Sequence, residues 1–224
     1  MRFITLEEAG RRFKGKSVAI VGSAPSVLEN KKGFIDSHDL VVRINNYKTN
    51  GLENRTGKRT DVFYSFFGSS IRKKKSELRE DGVQLCMCKC PNDKPIQSAW
   101  HDKLGKLGTD FRYIYELRKN FWFCDTYIPT SERFVEHFNL LNRHIPSTGF
   151  ACILEIAAFD CEIYLTGFDF FESGIHNVNE KWNPGCSDDP IRHQPQEELK
   201  WLKRHYLHRN IHLDKNLRER LKRQ

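Results

Sequence analysis

The sequence predicts an α/β fold built on a mainly parallel sheet with helices on both of its faces. Short apolar runs rich in β-branched and aromatic residues alternate with amphipathic stretches of helical period, which is the pattern of βα units. Within each run almost every residue is apolar, which is typical of strands that are buried on both faces of a sheet. The predicted strands are residues 17–22, 39–45, 61–66, 83–89, 162–168 and 210–215, and the predicted helices are residues 69–80, 131–142, 148–159 and 194–207.

Length and composition define the class of protein. A chain of 224 residues suits one domain, and 38% hydrophobic against 29% charged residues is the balance of a globular protein. No apolar run approaches the roughly 20 residues that a membrane span needs, and the first residues contain no apolar segment of the secretory-signal type. We therefore expect a single domain over residues 1–224 and a cytoplasmic location.

The first predicted strand leads into a turn of small residues and then into a helix start. Gly22, Ser23, Ala24, Pro25 and Ser26 would let a ligand approach the backbone, and the free N–H groups and serine hydroxyls suit a nucleotide or another anion. The turn has neither the G-x-G-x-x-G nor the G-x-x-x-x-G-K-[ST] pattern, which disfavours a dehydrogenase of the usual dinucleotide-binding type and a P-loop NTPase. A purely structural turn is the alternative.

The second predicted strand ends in Asn45 and Asn46. Amides at the carboxyl end of a parallel strand can hold a sugar hydroxyl or a base edge, because each supplies donors and an acceptor. Arg43 in this strand and Arg192 are candidate partners for a ligand carboxylate. An ordinary Asn-Asn turn is the alternative.

Three cysteines alternate along the strand at 83–89. Cys86, Cys88 and Cys90 therefore lie on one face of it. A zinc site usually draws C-x2-C pairs from turns, so buried thiols are the main interpretation and a metal site is the alternative. The chain has seven cysteines, an odd number without a disulfide framework, so we expect reduced thiols.

A Pro-Ser-Thr-Gly segment opens the helix predicted at 148–159. Ser147 is the predicted N-cap, and the same helix terminus, with Thr148 and Gly149, suits a phosphate or a base carbonyl. Asp169 follows the next strand, at the end where open α/β sheets carry catalytic or ligand-binding carboxylates.

A long loop at 170–192 is rich in Gly, Asn, Pro, Ser and Asp, and its place after a strand predicts a lid. His193 follows the loop, just before a helix. Glu197 and Glu198 match the dipole of that helix, which is a structural role. His193 has no such role, and an imidazole with an ordinary pKa of about 6.5 can take a proton from an acceptor hydroxyl. His193 is the candidate general base, with a loop histidine of no chemical role as the alternative.

The carboxyl-terminal segment 200–224 is strongly basic. It carries seven of the eight net positive charges of the chain, and Leu217 and Leu221 lie four residues apart on a predicted terminal helix. This pattern predicts a weak interfacial anchor for an anionic membrane surface, with a solvated basic helix as the alternative. The segment contains no recognised nucleic-acid motif, so no nucleic-acid partner is expected.

In order along the chain, these motifs resemble the CMP-sialic acid-dependent sialyltransferases, both the bacterial lipooligosaccharide type and the animal type. VGSAPS, VVRINNY and GKRTDVFY resemble the long sialylmotif, PSTGFACILEIAAFDCEIYLTGFDFF resembles the short one, and HQPQEE fits the H-x-x-x-x-E pattern through His193 and Glu198. The resemblance implies a single Rossmann-like nucleotide-binding domain of variant GT-A type. It implies that residues 22–26 and Asn45 contact CMP, that Ser147, Thr148 and Gly149 hold its base or ribose, and that His193 is the base. It also implies inversion at the anomeric carbon without a metal or another cofactor, in line with the lack of a D-x-D motif.

The chain departs from both relatives at several positions. Ser23 stands where they usually have Asn, and Phe171 stands at one of the two bacterial donor-phosphate tyrosines. His176 or Asn177 lies near the other, and the resemblance implies that His176 takes the phosphate role, as a histidine does in the animal enzymes. Residues 17–66 contain no cysteine, so the animal disulfide is not expected, and Cys152 and Cys161 are predicted core thiols.

The leading hypothesis is therefore a transferase that moves a sialic acid or related keto-sugar acid from a CMP-activated donor to a glycan or glycolipid acceptor, as in lipopolysaccharide or capsule biosynthesis. A CMP-Kdo-dependent transferase of the same fold is one alternative. A nucleotide- or glycan-binding protein without turnover is the other.

Overall fold

The computed structural model describes residues 2–67, 71–91, 123–173, 175–176, 180–181 and 193–223. Its central element is an eight-stranded sheet in which every pair of neighbouring strands is parallel. The predicted α/β class with a parallel sheet is confirmed.

The strands follow one another closely along the chain. They are β1 (Phe3–Ile4), β2 (Ser17–Val21), β3 (Leu40–Ile44), β4 (Val62–Ser65), β5 (Leu85–Cys88), β6 (Asp125–Tyr127), β7 (Glu162–Thr166), the separate antiparallel pair β8 (Ile175–His176) and β9 (Glu180–Lys181), and β10 (Ile211–Leu213). Across the large sheet the order is β1-β6-β5-β4-β3-β2-β7-β10. The strand order therefore reverses between β2 and β7, and ligands of open α/β sheets bind at such a switch point.

Seven α-helices are described. They are α1 (Leu6–Phe13), α2 (Glu53–Thr56), α3 (Lys75–Glu80), α4 (Ser131–Leu140), α5 (Thr148–Ile156), α6 (Pro195–His205) and α7 (Lys215–Lys222). The helix predicted at 69–80 begins only at Lys75 within the described residues, and those predicted at 131–142, 148–159 and 194–207 end two or three residues early. Neither β1 nor β6 was predicted, because two or three residues are too few to show a period.

Different elements pack against the two faces of the sheet. Val18 and Ile20 of β2 point to the main core, which includes residues of α1, α5, α6 and α7, whereas Ala19 and Val21 point to the other face. There the cover is two short 3₁₀ turns, Pro25–Glu29 and Ile35–Ser37, and further along the sheet it is α3 through Leu78. The prediction of helices on both faces therefore holds, although 3₁₀ turns replace an α-helix over β2 and β3.

The cysteines occupy the positions predicted for buried thiols. Cys86 and Cys88 share the face that meets α3, and Cys90 packs at the edge of the same cluster. Cys152 and Cys161 are free thiols in the main core, as predicted. Within the ranges given above, no three His, Cys, Asp or Glu side chains are grouped to hold a metal ion.

The terminal helix corrects one prediction. Asp214 caps α7 by accepting from the N–H of Leu217 at 2.8 Å, and Leu217 and Leu221 are 0% and 5% exposed within the main core. An apolar stripe on a basic helix can pack against a membrane surface or against a protein core, and here it packs in the core. The interfacial anchor built on these leucines is therefore wrong. Among the described helices, none combines the length and apolar character that crossing a membrane requires.

Candidate active site

The turns after β2 and β7 meet at the switch point. The N–H of Gly22 donates to the carbonyl of Thr166 at 2.8 Å, and the N–H of Ala24 donates to that of Gly167 at 2.9 Å. A Cβ on Gly22 would lie 2.1 Å from the carbonyl oxygen of Gly167. Only glycine allows this approach, so the small residues in the first motif have a structural reason as well as the predicted ligand-binding one.

The rest of the first motif forms a compact turn. Pro25 and Ser26 begin the 3₁₀ turn, and Asn30 joins it to β7 by donating to the Val27 carbonyl at 2.7 Å and to the Thr166 hydroxyl at 2.9 Å. The Ser26 hydroxyl oxygen is buried and has no hydrogen-bond partner in the described part of the chain. Buried polar atoms are usually satisfied, so this hydroxyl is an exception within the described residues.

The amino terminus of α5 lies against these turns. Ser147 is its N-cap, as predicted, and its hydroxyl accepts from the N–H of Phe150 at 3.2 Å. A Cβ on Gly149 would lie 2.9 Å from the ring of Phe168 and 3.7 Å from Ile44. The third motif thereby contacts both the turn after β7 and the end of β3.

Asn45 marks the end of β3 and has a left-handed backbone, with φ of 49°. Its N–H donates to the carbonyl of Tyr64 at 3.0 Å, and its side-chain oxygen accepts from the hydroxyl of Ser65 at 3.0 Å. Since the oxygen end accepts from β4, the donors of the amide are on its NH₂ end, and the ligand role of Asn45 stays a prediction.

His193 contacts the segment before α5. Its Nδ1 lies 3.0 Å from the carbonyl oxygen of Ile145, a contact that requires the proton on Nδ1. In the neutral ring Nε2 is then the basic nitrogen, because the two ring nitrogens share one proton. The imidazole is half-buried, and the general-base role predicted for it stays a prediction.

Glu198 connects the first turn of α6 to the N-cap of α5 through two hydrogen bonds. Its carboxylate accepts from the N–H of Ser147 at 2.5 Å and from the Ser147 hydroxyl at 3.0 Å. Burial raises the pKa of Glu198 to about 7, against the lowering effect of these hydrogen bonds and of the charge of Lys89. The expected role of Glu198 within its own helix is therefore incomplete, because its carboxylate serves the N-cap of a different helix.

Asp169 and His176 both lie beyond the end of β7. Asp169 is half-buried and accepts from the N–H groups of Phe171 at 3.0 Å and Ser173 at 3.2 Å, so its carboxylate shapes its own turn. His176 lies in β8, in register with Glu180 of β9, and the ligand role predicted for it remains a prediction. Most of the predicted lid at 170–192 lies outside the described residues.

Arg43 is not available to a ligand, which corrects its candidacy. It is 1% exposed, and its guanidinium donates to the carbonyls of Arg59 at 3.1 Å and Thr56 at 2.7 Å and to the hydroxyl of Thr60 at 3.2 Å. Burial lowers its pKa to about 10. Arg43 thus fixes the loop before β4. Arg192, the other candidate, lies outside the described residues.

Sequence reasoning overlooked Lys89, which directly follows β5 and is 8% exposed. Burial lowers its pKa, while the nearby thiols and Glu198 raise it. The available signal was a lysine at the end of an otherwise apolar strand, because lysine is almost never buried without a charge partner.

Known proteins share the fold over almost the whole chain. A mammalian sialyltransferase structure covers 96% of this chain, which in turn covers 74% of it, with a TM-score of 0.60 and 18% identity. A second mammalian sialyltransferase structure, with Gal-β-1-3GalNAc-ortho-nitrophenol, has a TM-score of 0.57 and 19% identity over the same shares of the two chains. The sialyltransferase CstII from Campylobacter jejuni, in complex with cytidine-5′-monophosphate, gives 0.52 at 16% identity over 89% of this chain and 79% of its own. At sequence identities of 16–19%, this structural similarity establishes the fold alone.

Sequence comparison gives one local relative and one family. The β-1,6-galactosyltransferase GALT29A of Arabidopsis thaliana is 39% identical over 56 residues, which are 25% of this chain and only 14% of that protein. The model of glycosyltransferase family 29 (sialyltransferase) matches residues 6–210, a range that contains β2, β3, α5 and the His193–Glu198 segment. The chain therefore belongs to glycosyltransferase family 29, the sialyltransferase family.

Proposed function

We propose that this chain is an inverting glycosyltransferase that moves a sialic acid or a related keto-sugar acid from a CMP-activated donor to a hydroxyl of a glycan or glycolipid. The observation that carries the proposal is the meeting of His193 with the residues just before α5, whose amino terminus contacts the turn after β7 and the end of β3. Membership of a sialyltransferase family supports the same reaction class.

In the proposed reaction His193 is the general base. Its Nε2 takes the proton of the acceptor hydroxyl while the acceptor oxygen forms a bond to the anomeric carbon of the donor. The bond from that carbon to the phosphate oxygen breaks, and CMP leaves with the electron pair. A single displacement of this kind inverts the anomeric carbon, and a positioned base contributes roughly 10²–10⁴-fold to such a step.

The donor is proposed to lie across the switch point. The NH₂ group of Asn45 and the N–H groups at the start of α5 are proposed to donate to the nucleotide, and a helix amino terminus favours the negative charge of the leaving CMP. His176 is proposed to assist at the phosphate, in place of the tyrosines that this chain lacks. We propose that no metal or other cofactor takes part.

One alternative donor has an observation in its favour. The Arabidopsis relative is named a β-1,6-galactosyltransferase, so membership of this family does not by itself select a sialic acid. Transfer of galactose from a nucleotide donor is therefore the second candidate, and CMP-Kdo is a further donor of the first class.

A donor panel tests these alternatives. CMP-sialic acid, CMP-Kdo, a CMP-activated nonulosonate and UDP-galactose are each incubated with the protein, and donor hydrolysis and transfer to lactose and to a lipid-linked glycan are measured. We expect turnover with a CMP donor, which His193→Ala lowers by roughly 10²–10⁴-fold and His208→Ala leaves unchanged, since His208 is exposed and lies before β10. If UDP-galactose alone were turned over, galactose transfer would replace the proposed transfer of a sialic acid. CMP binding without any turnover would make the chain a binding protein.

A further inference from the structure

Two cysteine side chains from neighbouring strands are in contact on the α3 side of the sheet. The Sγ atoms of Cys86 in β5 and of Cys124, just before β6, lie 3.3 Å apart, and both residues belong to the cluster that packs against α3. Cys86 is in register with Thr126, which lies two residues after Cys124. Since side chains alternate along an extended chain, this spacing brings both thiols to one face of the sheet.

The two thiols differ in exposure and in acidity. Cys86 is 0% exposed and Cys124 is 8% exposed. The hydrogen bond with Cys86 lowers the pKa of the Cys124 thiol, against the raising effect of its burial, whereas burial raises the pKa of Cys86. The thiolate is the reactive form of a cysteine, so Cys124 is the member of the pair that a small oxidant reaches and reacts with first.

Other thiols of the described chain have different surroundings. Cys88 donates to the carbonyl of Cys90 at 3.2 Å and accepts from the N–H of Cys90 at 3.3 Å. Cys161 lies in the main core, on the opposite face of the sheet, and its thiol donates to the carbonyl of Ile156 at 3.7 Å. Because Cys161 is also 8% exposed, it is a control that matches Cys124 in exposure.

We propose that Cys86 and Cys124 form a site of covalent modification, at which a peroxide oxidises the two thiols to a disulfide. A disulfide bond is about 2.05 Å long, so the two sulfurs have to approach by a little more than 1 Å. The ladder between β5 and β6 begins at Asp125. Cys124 therefore lies just outside the hydrogen-bonded strand, where its backbone has room to adjust.

The proposed oxidation has two steps. The Cys124 thiolate attacks one oxygen of the peroxide and the O–O bond breaks, which leaves a sulfenic acid on Cys124 and, with hydrogen peroxide, one water. The Cys86 sulfur then attacks Cys124 Sγ, the S–O bond breaks, and the proton of Cys86 leaves with the oxygen as a second water. The two thiols lose two electrons in total, and the peroxide is reduced by the same two electrons.

The disulfide would join two positions that are 38 residues apart in the chain. A cross-link of this kind limits the conformations of the unfolded chain and thereby stabilises the folded one. We therefore expect oxidation to raise the melting temperature. Neither the cross-link nor this effect depends on the proposed transferase activity.

The first test is a peptide map of the full chain. The reduced protein is freed of reductant, treated with hydrogen peroxide, alkylated with iodoacetamide and digested with trypsin, which releases Cys86 within residues 80–89 and Cys124 within residues 120–133. We expect these peptides as one species, two hydrogen atoms lighter than their sum, that dithiothreitol separates. Fragment ions distinguish Cys86 from Cys88. A Cys124 that stays free, stops at a sulfinic acid or is linked to another cysteine would overturn the proposal.

The second test compares melting temperatures before and after oxidation. We expect a rise of roughly 5–10 °C in wild type and in the control Cys161→Ala, and no rise in Cys86→Ala or Cys124→Ala. If either of these two variants does not fold, the peptide map of the wild-type protein still decides. A rise of wild-type size in Cys124→Ala or Cys86→Ala would assign the effect to other groups and would contradict the proposed site.

Discussion

His193 is the residue on which the proposed chemistry depends most directly. Its Nδ1 contacts the Ile145 carbonyl at 3.0 Å, so replacing the imidazole removes the base without removing a nucleotide contact. We expect His193→Ala to lower turnover by roughly 10²–10⁴-fold with little change in CMP affinity. Steady-state kinetics and calorimetry with CMP check this. A folded variant with near wild-type turnover would contradict the assignment, and His208→Ala is the control.

Glu198 predicts a pH dependence of stability that does not involve catalysis. Its pKa in the folded protein is raised to about 7, above the value of about 4.3 expected in the unfolded chain. The folded state therefore binds this proton more tightly, and the contribution to stability is present below about pH 4 and lost as the pH rises through about 7. We expect Glu198→Gln to flatten this part of the curve, a difference of roughly 4 kcal/mol across the window. Denaturant unfolding at several pH values measures it, and parallel curves would contradict it.

At the scale of elements, the end of β3 and the start of α5 are predicted to hold the nucleotide. Asn45 presents its NH₂ group and Thr148 lies in the first turn of α5. We expect Asn45→Ala and Thr148→Ala each to weaken CMP binding by roughly 3–10-fold, the cost of one hydrogen bond, with a smaller effect on the chemical step. Calorimetry measures the affinities, and unchanged values in both variants would reject the assignment.

The terminal helix α7 leads to a structural prediction instead of a membrane one. Leu217 is fully buried, whereas Arg218 beside it is exposed. We expect Leu217→Ala to lower the free energy of unfolding by about 2–5 kcal/mol, the usual cost of a core leucine, and Arg218→Ala to change it by less than about 0.5 kcal/mol. Chemical denaturation compares the two. Equal stabilities would show that α7 does not belong to the core.

At the scale of the whole molecule, the proposed reaction runs without a metal ion. The leaving CMP is a phosphate monoester, whose charge the start of α5 and nearby polar groups can stabilise in place of a cation. We expect EDTA to leave turnover largely intact with every accepted donor. Complete loss that an added divalent cation restores would defeat this part of the proposal.

The sequence alone determined the parallel α/β class and predicted the set of segments that form the candidate active site. Apolar runs of strand length report burial on both faces, and turns after such strands lie at one edge of the sheet. Ser147 as an N-cap and the burial of Cys86 and Cys88 followed from local patterns of this kind.

Only the tertiary structure decided which side chains are buried and which residues they contact. Arg43 donates to backbone carbonyls of the loop before β4, Leu217 faces the core, and the Glu198 carboxylate accepts from Ser147 at the start of another helix. These outcomes depend on contacts between residues far apart in the chain, whereas propensity and periodicity describe only neighbours within a few positions. For that reason the sequence predicted the segments of the candidate site, and the fold determined which side chains hold these segments together.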